Sequence, residues 1–102
     1  MDKSLLREFL IGFVRIHVLH HASKGGFYGN WMIEELREHG YKLSPGTIYP
    51  ILHRMEEKGL LVSEIKREGK VARKFYQTTK LGNETLDALK DYICELKNEI
   101  TN

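Results

Sequence analysis

A single cysteine, Cys94, among 102 residues leaves no internal disulfide framework and no cysteine cluster for structural zinc. Cys94 falls among Asp87, Lys90, Asp91 and Asn98 on the polar side of its segment, and without a resolving thiol it does not read as a redox sensor. Long apolar runs are missing too. Arg7, Glu8 and Arg15 interrupt the N-terminal amphipathic stretch, so it reads neither as a signal peptide nor as a membrane span, and the expected location is the reducing cytoplasm. The chain also lacks paired carboxylates in an apolar setting, a nucleophile with a spaced base, a glycine-rich phosphate loop and a metal signature, which argues against an enzyme and against a cofactor. His17, His20 and His21 have the i, i+3, i+4 spacing that places imidazoles together. No carboxylate or thiol follows locally to complete a metal set, so these residues read as a polar helix end.

Net charge is small, +2, but unevenly placed. Between Lys42 and Lys80 nine Lys or Arg face four Glu, while the remainder holds seven against ten acids. Positive charge is thus concentrated in the central third, which favours a polyanionic partner over a uniformly solvated surface.

The length supports one domain with one modest core. Apolar periodicity predicts a helix from Ser4 to about Ala22, carrying Leu5, Leu6, Phe9, Leu10, Phe13, Val14, Ile16 and Val18 as a stripe too wide for one partner surface. Gly25 and Gly26 end it. A second helix is expected from about Tyr28 to His39, with Met32, Ile33 and Leu36 inward; Trp31 projects away from that face, suited to packing on a neighbour or lining a ligand site.

The centre of the chain is Leu43 to Leu60. Ser44 is a good N-cap, Pro45 suits the first helical position, and Gly59 supplies the stop. Ile48, Ile51, Leu52 and Met55 form an apolar stripe, leaving Tyr49, His53, Arg54 and Glu57 on the outward side. Pro50 costs such a helix one hydrogen bond and is expected to be accommodated near its first turn. Helix, short connector, helix is the arrangement that lays a second helix in a DNA major groove.

After Gly59 the period changes to two. Leu61 to Arg67 and Val71 to Thr79 alternate about a Glu68-Gly69 turn, predicting a hairpin whose tip and flanks carry Lys66, Arg67, Lys70, Arg73 and Lys74. Such charge suits a phosphate backbone, although basic residues also protect an edge hairpin from aggregation. Thr79 is placed to cap a last helix running to about Ile100, with Leu86, Leu89, Ile93, Leu96 and Ile100 stepping by three and four and Leu81, Ala88 and Tyr92 alongside. A homodimer through the first and last helices, using Leu5, Phe9 and Phe13 with that row, is the simplest way to bury both wide stripes. The broad apolar faces of these helices, with Trp31 and Tyr92, are the expected place for a small-molecule ligand.

The run Leu43-Ser44-Pro45-Gly46-Thr47-Ile48-Tyr49-Pro50, its downstream Arg54, Glu56, Glu57 and Gly59, and the stretch Ala72-Arg73-Lys74-Phe75-Tyr76-Gln77-Thr78-Thr79-Lys80-Leu81-Gly82 closely resemble the PadR family of transcriptional regulators. The likeness reaches back through Leu10 to Leu19 and Gly29. It implies a mainly α fold with a β-hairpin: a winged helix-turn-helix over residues 1–79 and a C-terminal dimerisation helix over 80–102, forming one unit with the N-terminal helix. It further implies a dimer that binds operator DNA, usually a repressor relieved by a small molecule. Ser44, Thr47, Tyr49, His53 and Arg54 would then lie at the DNA, Arg54 and His53 reaching base edges or adjacent phosphates and Thr47 and Tyr49 bonding phosphates. Lys66, Arg67, Lys70, Arg73 and Lys74 would form the cationic wing. The alternative is a winged helix kept as a protein-interaction module, without a specific DNA target.

Overall fold

The computed structural model describes residues 2–102. Its elements, in order, are α1 (Lys3–Ser23), β1 (Phe27–Tyr28), α2 (Gly29–Glu38), α3 (Pro45–Glu57), β2 (Leu61–Glu68), β3 (Val71–Thr78) and α4 (Lys80–Thr101). The four helices and the hairpin fall within a few residues of the segments expected from periodicity. The additional element is β1. Its two residues pair antiparallel with β3, Phe27 opposite Tyr76 and Tyr28 opposite Phe75, and make the sheet three-stranded in the order β1-β3-β2.

Local chemistry explains the boundaries. Asp2 begins α1 by accepting from the Ser4 amide and hydroxyl at 2.9 and 2.8 Å. The hairpin runs in continuous register from Leu61 opposite Thr78 to Glu68 opposite Val71, closed by a two-residue loop in which Gly69 takes φ +63°. Glycine is well suited to that first loop position because a side chain there strains a left-handed backbone. Thr79 caps α4 as expected, accepting from the Gly82 amide at 3.0 Å, and its hydroxyl also donates to the Gly59 carbonyl at 2.5 Å. One side chain thus fastens the start of α4 to the turn between α3 and β2.

Ser44 departs from expectation. It occupies the N-cap position of α3 with extended backbone angles, but its hydroxyl makes no capping bond. The hydroxyl lies 3.4 Å from Thr47 Oγ1, and only the Ser44 carbonyl engages the first turn, accepting from the Thr47 and Ile48 amides. Pro50 sits inside the regular helix. Its missing donor would have paired with the Gly46 carbonyl in the first turn, a local loss that the helix survives because Ile48, Ile51, Leu52 and Met55 are all buried beneath it.

One core joins the elements. Val14 and Val18 of α1, Met32 and Leu36 of α2, Ile48 and Leu52 of α3, Leu61 of β2, Tyr76 of β3 and Leu86 of α4 are all buried in it. Two parts extend beyond this core. Residues 64–74, the outer half of the hairpin, are exposed throughout, and so are residues 90–102 of α4. The result is a winged helix with a long helix leading away from it. No helix among the described residues is long and apolar enough to cross a membrane.

Candidate nucleic-acid interface

Because α3 buries one stripe, its opposite face is fixed in solvent. Pro50, His53, Arg54 and Glu57 are exposed there, with half-buried Thr47 at one edge and exposed Tyr49 at the other. The two edges meet different neighbours.

On the hairpin side the Tyr49 ring crosses the start of α2. A Cβ added to Gly29 would lie 2.7 Å from Tyr49 Cε1, so only glycine lets the ring lie this close. The Tyr49 hydroxyl donates to Asn30 Oδ1 at 2.8 Å. The phenol therefore joins α3 to the first turn of α2, which is not the free phosphate-bonding role expected of it. Beyond the ring lies a hollow of about 420 Å³, lined by Asn30, Tyr49, His53, Arg73, Lys74 and Tyr76 among others. This concavity brings the outward face of α3 together with two of the wing cations.

The wing cations are held in different ways. Lys74 Nζ lies 3.7 Å from Glu56 Oε1, an oxygen without a hydrogen-bond partner among the described residues, while Ser63 donates to Glu56 Oε2 at 2.7 Å. Glu56 thus draws Lys74 toward α3. Burial, followed by the nearby Glu56 carboxylate and Tyr49, pushes the Tyr76 phenol above its ordinary range, so it stays protonated between the two. Arg73 lies over the Tyr28 ring at 5.5 Å and Lys66 over the Phe75 ring at 3.9 Å, the two rings themselves meeting edge to face. Among the described residues, Arg67 and Lys70 at the tip have no carboxylate oxygen within 4 Å. His53 Nε2 lies 3.6 Å from Glu57 Oε1 on the exposed helix surface.

On the other edge, Arg7 Nη2 of α1 donates to Thr47 Oγ1 at 2.9 Å. Arg54 points to this side, sharing a concavity with Arg7, Arg15, Gly46 and Thr47. Asn30, Glu56 and Arg7 were not among the sequence-derived site residues. Only their contacts with residues distant in sequence reveal them.

The remaining expected residues fall into separate places. Leu5, Phe9 and Phe13 of α1 and Ile93, Leu96 and Ile100 of α4 are exposed. Leu86 is not available to a second subunit, being 4% exposed in the protomer's own core, and Leu89 is half-buried against it. Trp31 and Tyr92 share no aromatic contact. Trp31 meets His21 edge-on at 5.3 Å and stacks near Phe27, whereas Tyr92 is 75% exposed. The α1 histidines are joined by one further residue, since His39 Nε2 lies 2.9 Å and His21 Nε2 3.8 Å from the same Glu35 oxygen, with His17 beside His39. Burial, followed by neighbouring imidazoles, holds His17 and His21 below the ordinary histidine range.

Comparison with known proteins agrees with this architecture. The family described as "Transcriptional regulator PadR-like family" matches residues 18–88. Transcriptional regulator Rv3488 of Mycobacterium tuberculosis is 44% identical over 95 residues, spanning 93% of this chain and 89% of that protein. Among solved structures, a PadR family transcriptional regulator from Eggerthella lenta superposes with a TM-score of 0.83 at 29% identity, covering 97% of this chain and 88% of its own. A PadR-like transcriptional regulator from Bacillus cereus does so with a TM-score of 0.84 at 29% identity, covering 93% and 94%.

Proposed function

The chain belongs to the PadR-like family of transcriptional regulators, and from that premise we propose that it represses transcription by binding duplex DNA as a homodimer. In this reading α3 enters the major groove, His53 and Arg54 face base edges or the nearest phosphates, and Thr47 and Ser44 lie by the backbone at its leading end. Arg73 and Lys74, with Lys66, Arg67 and Lys70 further out, form the salt-sensitive grip of the hairpin. The observation that carries it is the concavity in which Tyr49 and His53 of α3 stand with Arg73 and Lys74 of β3. Reading helix and cationic arm share one wall, as a single duplex requires.

Tyr49 is placed in this scheme as the residue that sets the height and angle of α3, through Asn30 and Gly29. Residues 1–79 are the DNA-binding part, and 80–102 the dimerisation helix. The subunit contact is formed by Leu5, Phe9 and Phe13 with Ile93, Leu96 and Ile100, apolar residues left in water by the isolated chain. Release by a small molecule is the natural control at such a contact. A mainly apolar hollow of about 390 Å³ between Phe9, Phe13, Leu19 and Leu89, which Arg15 also lines, supports it.

The test is selection of duplexes from a random pool by the purified protein, followed by titration of the recovered site. A palindromic site with half-sites about one helical turn apart is expected. Arg73→Ala with Lys74→Ala should weaken binding to every duplex and lower the salt slope by about two. No duplex binding at low salt would sink the reading in favour of a protein-interaction module.

A further inference from the structure

An α-helix lying in a major groove has a phosphate backbone on each side of it. The hairpin can meet only one of these. The other edge of α3 meets α1.

Arg7, Ile11 and Arg15 are four residues apart in turn, so they form one row along α1. Ile11 packs against the core and fixes the direction of that row, which lines a hollow of about 260 Å³ together with Gly46, Thr47, Pro50 and Arg54 of α3. Arg7 spans forty positions of sequence to donate to Thr47, so its guanidinium is already held at the leading turn of α3. Arg7, Arg15 and Arg54 are all exposed, and among the described residues none has a carboxylate oxygen within 4 Å. This contrasts with Arg37, Lys80 and Lys90, each within 4 Å of a carboxylate on its own helix. Three uncompensated guanidiniums around one small hollow repel one another, and an anion seated between them removes that repulsion. The start of α3, whose N-cap hydroxyl makes no capping bond, adds its positive end to the same place.

We propose that Arg7 and Arg15 of α1, with Arg54 of α3, form a second phosphate-binding rim, which receives the DNA strand opposite the one gripped by the hairpin. This rests on the DNA-binding reading above and extends it to residues of α1 outside the recognition helix and wing. Planar guanidinium groups suit it, since they bond phosphate oxygens in pairs where an ammonium acts as a point charge. The arrangement makes α1 a bifunctional element: Leu5, Phe9 and Phe13 lie outside this row, toward the apolar faces left in water.

The experiment compares the full-length protein with Arg7→Gln/Arg15→Gln, with Arg7→Lys/Arg15→Lys and with Arg73→Ala/Lys74→Ala, on the selected duplex and on a random duplex over a range of salt. Circular dichroism and sedimentation check fold and assembly. The glutamine pair should bind both duplexes more weakly, with a salt slope lower by about two. The lysine pair should restore the slope but only part of the affinity, because charge returns without the paired geometry. If the parent protein binds and the hairpin variant weakens it while the glutamine pair keeps its affinity and slope, the rim is overturned and the DNA-binding reading stands. If the parent binds no duplex, both fall. Loss of inorganic phosphate binding by the glutamine pair with duplex affinity intact would make the hollow a free-anion site, which also overturns the proposal.

Discussion

The Tyr49 hydroxyl and the Asn30 side-chain carbonyl are joined by a 2.8 Å hydrogen bond between the third helix and the first turn of the second. The bond is exposed, and its removal leaves the ring in place over Gly29. Tyr49→Phe should therefore cost roughly 0.5–1 kcal/mol in urea unfolding, the lower part of the range for a single hydrogen bond. Gly29→Ala should cost more, because its Cβ would press into the Tyr49 ring at 2.7 Å and displace it. Equal losses in the two variants would show that the ring contact contributes nothing beyond the hydroxyl.

The Thr79 hydroxyl plays two separable parts, accepting from the Gly82 amide and donating toward the Gly59 and Leu60 carbonyls. Thr79→Val keeps the shape and removes both, with an expected loss of about 1–2 kcal/mol. Thr79→Ser keeps the hydroxyl and should stay within roughly 0.5 kcal/mol of the parent. Should valine and serine prove equivalent, the cap is not what holds the start of α4.

His17 and His21 predict a pH dependence. Both are held below the ordinary value of 6.5, so below that value the unfolded chain takes up protons that the folded one resists. Their neutral forms therefore give full stability above about pH 6.5, and the contribution is lost as pH falls toward their folded-state values. His20, His39 and Glu35 face the same pair, with Glu35 favouring the charged forms and the imidazoles opposing them. The urea midpoint should fall between about pH 7.5 and about pH 5.5, and His17→Gln with His21→Gln should flatten that fall. A parent midpoint that rises on acidification would reverse the assignment.

Phe9→Glu with Leu96→Glu places carboxylates on both exposed apolar faces. Sedimentation equilibrium should show the parent as a dimer and the variant as a folded monomer with weakened affinity for a palindromic site. A dimeric variant would move the subunit contact elsewhere.

What the sequence makes legible follows the physics of each signal. The four helices and the hairpin are readable because burial imposes a period of 3.6 or 2 over ten residues or so, and Pro45, Gly59 and Thr79 mark ends through local chemistry. The strand Phe27–Tyr28 has two residues and therefore no period; only its pairing with Tyr76 and Phe75 defines it. The wheel places Tyr49 outward correctly in part, but its hydroxyl partner is nineteen positions away, and nothing local announces it. Ser44 has the right residue type for a cap, yet its hydroxyl turns toward Thr47. Leu86 belongs to the apolar row of α4, and periodicity does not say which members of a wide row face the protomer's own core. Arg7 and Arg15 look like helix solubility until α3 is placed beside them.

The fastening of α4 at Thr79 also has a mechanical meaning. Thr79, Leu86 and Leu89 hold the first turns of the helix against the core, and the dozen residues from Lys90 to Thr101, rising about 1.5 Å each, form an arm roughly 18 Å long beyond it. A bend of about 10° at the root of that arm carries the far end through roughly 3 Å, the scale of one base-pair step. In the proposed homodimer, repacking at the distal end would thus become a fine adjustment of the distance between the two copies of α3.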